Sequence, residues 1–429
     1  MALDVPPGYA PLDDKTLPGW LAAIPGVAQR LGGAPANWTV SEVGDGNLNL
    51  VFLVDGPAGG LCVKQALPYL RLVGEGWPLG LRRAYFEQRA MATVGPHVGT
   101  LAPALLHYDA KRFAIVMEKL SPHIILRRGM VAGTRYPAFA EHVADYMAKA
   151  LFHTSDLYLP AADKKALVAE FAANTELCKI TEDLIFTDPY MVHARNRWTS
   201  PQLDGVADGI RRDAALKLAV SRLKLKFLSA PEALLHGDLH TGSVMVTERD
   251  SRVIDPEFAF TGPMGFDVGA VLGNLLLNYF AQDGHATREA PRGAYQDWVL
   301  QTVEQVWTGF ARKFRALWRQ HGVGDAYPAD LFRDAEGAAA LEGERGRYLD
   351  RLLADSLGFG AAKMIRRILG LAHNIDLEQI ADPDTRALCE TRTLKLARRL
   401  MVETDRFPTI EDVTAAAREI RATVNSIGW

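Results

Sequence analysis

The chain has 429 residues, 48% hydrophobic and 23% charged, with a formal net charge of -3. This length exceeds that at which one hydrophobic core stops growing, so two lobes are expected, and the charge balance lacks the basic surface that a nucleic-acid partner requires. Cys62, Cys178 and Cys389 lie far apart with no metal-site or disulfide spacing, and neither a leader-like N-terminus nor an apolar run of membrane-spanning length is present, so a soluble cytoplasmic protein without a membrane partner is expected.

In chain order, helical apolar spacing predicts a helix over 17–31, and β-branched or alternating runs predict strands over 38–43, 50–54 and 61–65. The turns between the strands fall at Gly44-Asp45-Gly46-Asn47 and Gly56-Pro57-Ala58-Gly59-Gly60. A helix over 81–94 and an inner strand over 113–117 complete a small α+β lobe. From about residue 136 helices dominate, over 138–157, 162–174, 206–228, 266–281, 293–319, 346–373 and 384–403. The exception is 233–256, whose short apolar pieces read as a minimal hairpin supporting a site. The division is residues 1–120 for a nucleotide-binding lobe and 121–429 for a catalytic and substrate-binding lobe.

Chemistry concentrates in His236-Gly-Asp-Leu-His-Thr-Gly-Ser243, followed seventeen residues after Asp238 by Asp255-Pro256-Glu257. Phosphoryl transfer to a hydroxyl needs one carboxylate to orient the nucleophile and separate oxygen ligands for Mg²⁺. Asp238 fits the first role and Asp255 the second. A turn carboxylate capping backbone amides is the bland alternative for Asp238. Both acidic groups follow short apolar runs, so both can converge on one cleft edge. Lys64 sits in an apolar strand, where a kinase places the lysine that neutralises α- and β-phosphates, and Glu87 on the following helix is its candidate partner. A solvated lysine and a helix-surface glutamate remain the alternatives. The glycines of 42–49 would admit a phosphate to the backbone, although they also suit an ordinary hairpin tip. Glu118-Lys119-Leu120 is where the chain leaves the small lobe, and its backbone can read an adenine edge whatever its side chains.

These residues resemble the protein-kinase-like superfamily in its aminoglycoside phosphotransferase and choline kinase branch, which implies a bilobal fold with an antiparallel small-lobe sheet. Within it, Gly44-Asp-Gly-Asn-Leu-Asn49, Lys64-Gln-Ala-Leu-Pro-Tyr69, Gly74-Glu-Gly-Trp-Pro-Leu79, Phe186-Thr-Asp-Pro-Tyr190 and the Asp238 and Asp255 segments resemble the 5-methylthioribose kinase family. The resemblance implies ATP- and Mg²⁺-dependent phosphorylation of the anomeric hydroxyl of methylthioribose in methionine salvage, by a homodimer. It implies that Asp255 and Glu257 bind metal. It further implies that Asn49, Lys64, Glu118, Lys119, Leu120, Asp255, Pro256 and Glu257 meet the nucleotide and that Asp238, Trp77, Arg366 and Arg367 meet the substrate. Adjacent arginines point about 100° apart on a helix, so one of the pair is expected to be structural, and Arg366 is favoured as the direct ligand. Ser243 departs from the metal-binding Asn of the wider superfamily, which shifts weight to Glu257. A choline or aminoglycoside kinase is the same-class alternative, although the Trp77 loop and paired arginines suit a cationic acceptor poorly. A pseudokinase is the other, and Lys64, Asp238 and Asp255 are all retained. His97, His107, His123, His142, His153 and His373 show no metal-ligand spacing.

Overall fold

Pro25 cannot continue a helix begun upstream but fits the first turn of a new one. In the computed structural model, which describes residues 5–44, 48–71 and 74–429 apart from the Glu75 side chain, the predicted helix is accordingly two: α1 (Leu17–Ala22) and α2 (Pro25–Leu31). Of the predicted turn at 44–47, residues 45–47 lie outside the described residues.

Three antiparallel strands follow, β1 (Thr39–Glu42), β2 (Asn49–Gly56) and β3 (Gly59–Ala66). A short hairpin of β4 (Tyr69–Leu70) and β5 (Gly74–Pro78) leads to α3 (Arg83–Val98), and β6 (Leu105–Asp109) and β7 (Ala114–Glu118) complete a five-stranded sheet in the order β1-β2-β3-β7-β6. Side chains alternate across a strand. Leu61 and Val63 of β3 therefore pack with Phe52, Val54 and Val116 beneath the α1 and α2 residues Leu17, Leu21, Val27 and Leu31. Lys64 and Ala66 consequently face the other side, toward α3, and this places the lysine beside Glu87.

The remainder is mainly helical, with five short strands among its described residues. These are β8 (Ile124–Ile125), β9 (Ala233–Leu235), β10 (Val244–Val246) and β11 (Ser251–Val253), and β12 (Phe260–Gly262) returns to pair with β9. The hairpin predicted over 233–256 is the β10–β11 pair, in register Val244 to Val253, and β8 adds a third strand. Helices α4 (Leu126–Ala132), α5 (Phe139–His153), α6 (Ala161–Phe171) and α7 (Thr175–Phe186) precede α8 (Asp204–Arg212) and α9 (Ala214–Ser229). The last two replace the single helix predicted over 206–228, because Asp213 caps α9 by accepting from the Leu216 N–H at 2.9 Å. Then come α10 (Gly265–His285), α11 (Gly293–His321), α12 (Ala335–Leu369), α13 (Ile375–Glu378), α14 (Pro383–Val402) and α15 (Ile410–Thr423). No helix among the described residues is long and apolar enough to cross a membrane.

Helix α10 is buried over most of its length and crosses α12 at glycines. A Cβ on Gly269 would lie 2.2 Å from the Ser356 carbonyl oxygen, and one on Gly273 would lie 2.5 Å from that of Gly360. The backbones therefore touch, and this contact sets the position of the far half of α12. Gly273→Val is expected to force the helices apart and cost about 3 kcal/mol. In thermal unfolding this should appear as a Tm lower by roughly 3 °C.

Candidate active site

The 236–243 loop joins β9 to β10, and its shape depends on backbone that other side chains hold. Gly237 has φ +83°, and a Cβ there would lie 2.1 Å from the Phe258 carbonyl oxygen, so only glycine fits. The buried Asp267 carboxylate, on the first turn of α10, accepts from the His236 N–H at 2.6 Å and the Gly237 N–H at 3.0 Å. The His236 ring bonds the Ile254 carbonyl through Nε2 at 2.8 Å, and the Ile254 N–H donates to the Ser243 carbonyl at 3.0 Å. The loop bearing Asp238 is thus stitched to the segment bearing Asp255, as convergence on one cleft edge requires.

Asp238 lies among cations. Its Oδ1 is 2.8 Å from Lys363 Nζ and 4.0 Å from Arg366 Nη2, and its Oδ2 is 3.2 Å from His240 Nε2. Burial opposes the Asp238 charge, but Lys363, His240 and Arg366 outweigh it and hold the carboxyl well below its usual range. Burial pushes His240 down to about 3 despite Asp238, so the ring is neutral at neutral pH. Its Nδ1 accepts from the Gly242 N–H at 2.9 Å, which leaves the ring proton on Nε2, pointed at Asp238. Ser243 donates its hydroxyl to the Asp238 carbonyl at 2.8 Å.

Lys363, Arg366 and Arg367 occupy positions i, i+3 and i+4 of α12 and share a face. Both arginines are buried, and both donate through Nη1 to the Ala372 carbonyl, at 3.4 and 3.2 Å, while their buried Nε groups have no partner. Arg127 of α4 adds a fourth cation, 3.4 Å from Asp376 and donating to Thr241 Oγ1 at 3.0 Å. Four cations here face two carboxylates, Asp238 and Asp376.

The second cluster has the opposite balance. Lys64 Nζ pairs with Asp255 and lies 2.9 Å from a Glu87 oxygen and 3.6 Å from Glu257 Oε2. Arg83 stands 3.9 Å from Glu257, and Asn49 links them, accepting from Arg83 Nη2 at 2.8 Å and donating to Glu257 Oε2 at 2.7 Å. Burial opposes the Lys64 charge, but the surrounding carboxylates raise it well above the usual lysine value. Burial also pushes both Glu257 and Glu87 upward, against the pull of Lys64. Glu87, Asp255 and Glu257 each offer an oxygen within 4.8 Å of the others. This hard oxygen set, with negative charge in excess, fits Mg²⁺. Asp255 is half-exposed and has a positive φ of 70°, a conformation costly for a non-glycine residue and retained where a side chain must be aimed.

The remaining expected residues surround these clusters. The Glu118 N–H donates to the Ala104 carbonyl at 2.9 Å and its carboxylate accepts from the Ala104 N–H at 3.1 Å, while Lys119 pairs with Asp55 at 2.6 Å. Both side chains turn away, which leaves the backbone of 118–120 as the available surface. Pro256 lines a cavity of about 30 Å³ together with Met117, His236, Asp255 and Asp267. Trp77, in β5, lies with its ring centre 5.9 Å from the Arg195 guanidinium, and Arg195 donates to Asp188 at 2.8 Å. The Trp77 and Phe186–Tyr190 segments therefore meet, but no contact among the described residues joins Trp77 to Asp238 or Arg366.

Sequence reasoning missed Lys363, His240, Arg127, Arg83 and Arg195. The helical spacing of Lys363 from the arginine pair was the one available signal for it, and His240 lay inside a quoted motif. Arg127 and Arg83 act through tertiary contacts that no local pattern announces.

The two charge clusters stand on segments joined through His236, Ser243 and Ile254, and residues 39–318 match the phosphotransferase enzyme family, so the chain is a phosphotransferase by class. Methylthioribose kinase 1 of Oryza sativa subsp. japonica is 48% identical over 95% of this chain and 94% of its own length. The methylthioribose kinases of Escherichia coli and Yersinia pseudotuberculosis are 46% and 43% identical, covering 97% and 91% of this chain and 100% and 92% of theirs. The chain belongs to the methylthioribose kinase family, and its architecture is a five-stranded antiparallel sheet followed by a mainly helical part.

Removing Lys64 strands buried carboxylates without their nearest cation. Lys64→Met is expected to lower stability by about 3–5 kcal/mol in EDTA at pH 8. The loss should be smaller at pH 6, where a carboxyl takes up a proton, and Mg²⁺ should restore part of it. Thermal melts under the three conditions check this.

Proposed function

We propose that this protein transfers the γ-phosphoryl group of ATP to the anomeric hydroxyl of S-methyl-5-thioribose, yielding S-methyl-5-thioribose 1-phosphate for methionine salvage. The single observation that supports it most is the pair of opposed clusters, with Asp238 among cations and Asp255 and Glu257 in a carboxylate-rich group. The first suits a nucleophile beside a transferring phosphoryl group, and the second suits a metal-bound triphosphate.

In this reading the Asp238 carboxylate accepts a hydrogen bond from the acceptor hydroxyl and aims it at the γ-phosphorus. Arg366 and Arg367 offset the charge of the transferred group, and their unpartnered Nε groups supply donors. Lys64 leaves Asp255 for the α- and β-phosphates. Asp255 and Glu257 hold Mg²⁺, which offsets phosphate charge when bound. Asn49 reaches the nucleotide, Pro256 lies against it, and the 118–120 backbone reads adenine, with Glu118 and Lys119 contributing main chain and Leu120 the last N–H of the segment. Trp77, held by Arg195, covers the acceptor side. Residues 1–120 thus serve the nucleotide and 121–429 the acceptor. The cysteines, all unbridged, support a reducing cytoplasm, and likeness to the family supports a homodimer.

Asp238→Asn keeps the shape but loses the anion. Its kcat is expected to fall by about 10²–10⁴-fold with nucleotide affinity nearly unchanged, and wild-type turnover would exclude the role given to Asp238. Across a panel of acceptors followed by ADP release, methylthioribose should be phosphorylated. Turnover of choline or kanamycin without it would replace the proposed acceptor.

A further inference from the structure

The Lys363 side chain is 1% exposed, and its ammonium lies 4.6 Å from the centre of the Phe266 ring. Taking an ammonium out of water is costly, and an apolar side chain of equal length would fill the same space, so packing alone gives no reason for lysine here. One anionic contact offsets the cost, at 2.8 Å from Asp238 Oδ1. The other oxygen of that carboxylate takes the His240 proton at 3.2 Å. A carboxylate has about four acceptor positions, so two remain free, and their direction is fixed by the two donors. Both donors are themselves fixed, His240 by the Gly242 N–H and Lys363 by the glycine contact of α12 with α10.

We propose that Lys363 is a positioning residue for phosphoryl transfer, reaching from α12 to clamp the Asp238 carboxylate against His240 so that its free acceptor positions face the acceptor hydroxyl. This rests on the role given to Asp238 above. The cation that steadies the nucleophile-orienting carboxylate is then supplied by a helix 125 residues downstream, while the loop itself contributes a neutral imidazole. Burial pushes Lys363 down to about 8 against the pull of Asp238. The charged groups facing it are Asp238 on the loop, Asp267 on α10, and Arg366 and Arg367 on its own helix. It is charged below that pH and neutral above, so the clamp opens on the alkaline side. A guanidinium does not titrate there.

Lys363→Met fills the same space against Phe266 and is expected to lower kcat by about 10²-fold, with the KM for ATP within about twofold of wild type. Lys363→Arg should recover much of kcat and move the alkaline limb of the pH profile upward. The double variant Asp238→Asn/Lys363→Met should be no slower than Asp238→Asn alone, because both act through one carboxylate. Independently of any acceptor, carboxyl-carbon NMR, with the Asp238 signal assigned by its loss in Asp238→Asn, should show that carboxyl titrating at higher pH in Lys363→Met. Lys363→Met turning over within about threefold of wild type, losses that multiply in the double variant, or an unmoved Asp238 titration would each overturn the proposal. If the wild type phosphorylates no acceptor of the panel, the proposed function fails, and the NMR titration still decides the clamp.

Discussion

Burying charge is the constraint around which this molecule is organised. Lys64, from the sheet, pairs with Glu87 on α3 and with Asp255 beyond the β10–β11 hairpin, so one ammonium fastens both lobes at the cleft. Around it negative groups outnumber positive ones, and around Asp238 the imbalance is reversed. Neither imbalance favours stability, since an incompletely paired buried charge costs more than a paired one and far more than an apolar side chain. In the proposed reaction, a metal-bound triphosphate would offset both.

The surrounding structure keeps these groups in place with hydrogen bonds to main chain and between side chains. Asp267 holds two backbone N–H groups of the Asp238 loop, Ser243 and Gly242 fix its far side, and Gly237 admits the Phe258 carbonyl. Asn49 performs the same service for Glu257 and is itself oriented by Arg83. None of these residues needs to touch a substrate to matter, because a carboxylate misplaced by an ångström loses most of its effect on the reaction.

Much of this was legible in the sequence. The alternation in 50–54 and 61–65 gave strands, faces and the inward direction of Lys64, and the His236–Ser243 and Asp255–Glu257 segments gave both carboxylates. Local pattern failed where tertiary structure decided. Strand β6 is half-buried throughout and shows no clean alternation, helices α7 and α15 were not anticipated, and Asp213 divided a helix whose apolar spacing runs on without a break. At the site, periodicity was applied to the arginine pair alone. Extending it one turn back reaches Lys363, which shares their face, whereas Arg127 and Arg83 are brought in by chain folding over long separations. Short charged residues at turns were easier to read than long ones on helices, because a turn motif is local and a buried guanidinium takes its meaning from remote partners.

The glycine crossing of α10 and α12 has a mechanical consequence. At Gly269, Gly273 and Gly360 main chain presses on main chain, so at those positions no side chain lies between the two helices to change rotamer. The loop fastened to α10 and the cationic face of α12 therefore travel as one stiff block.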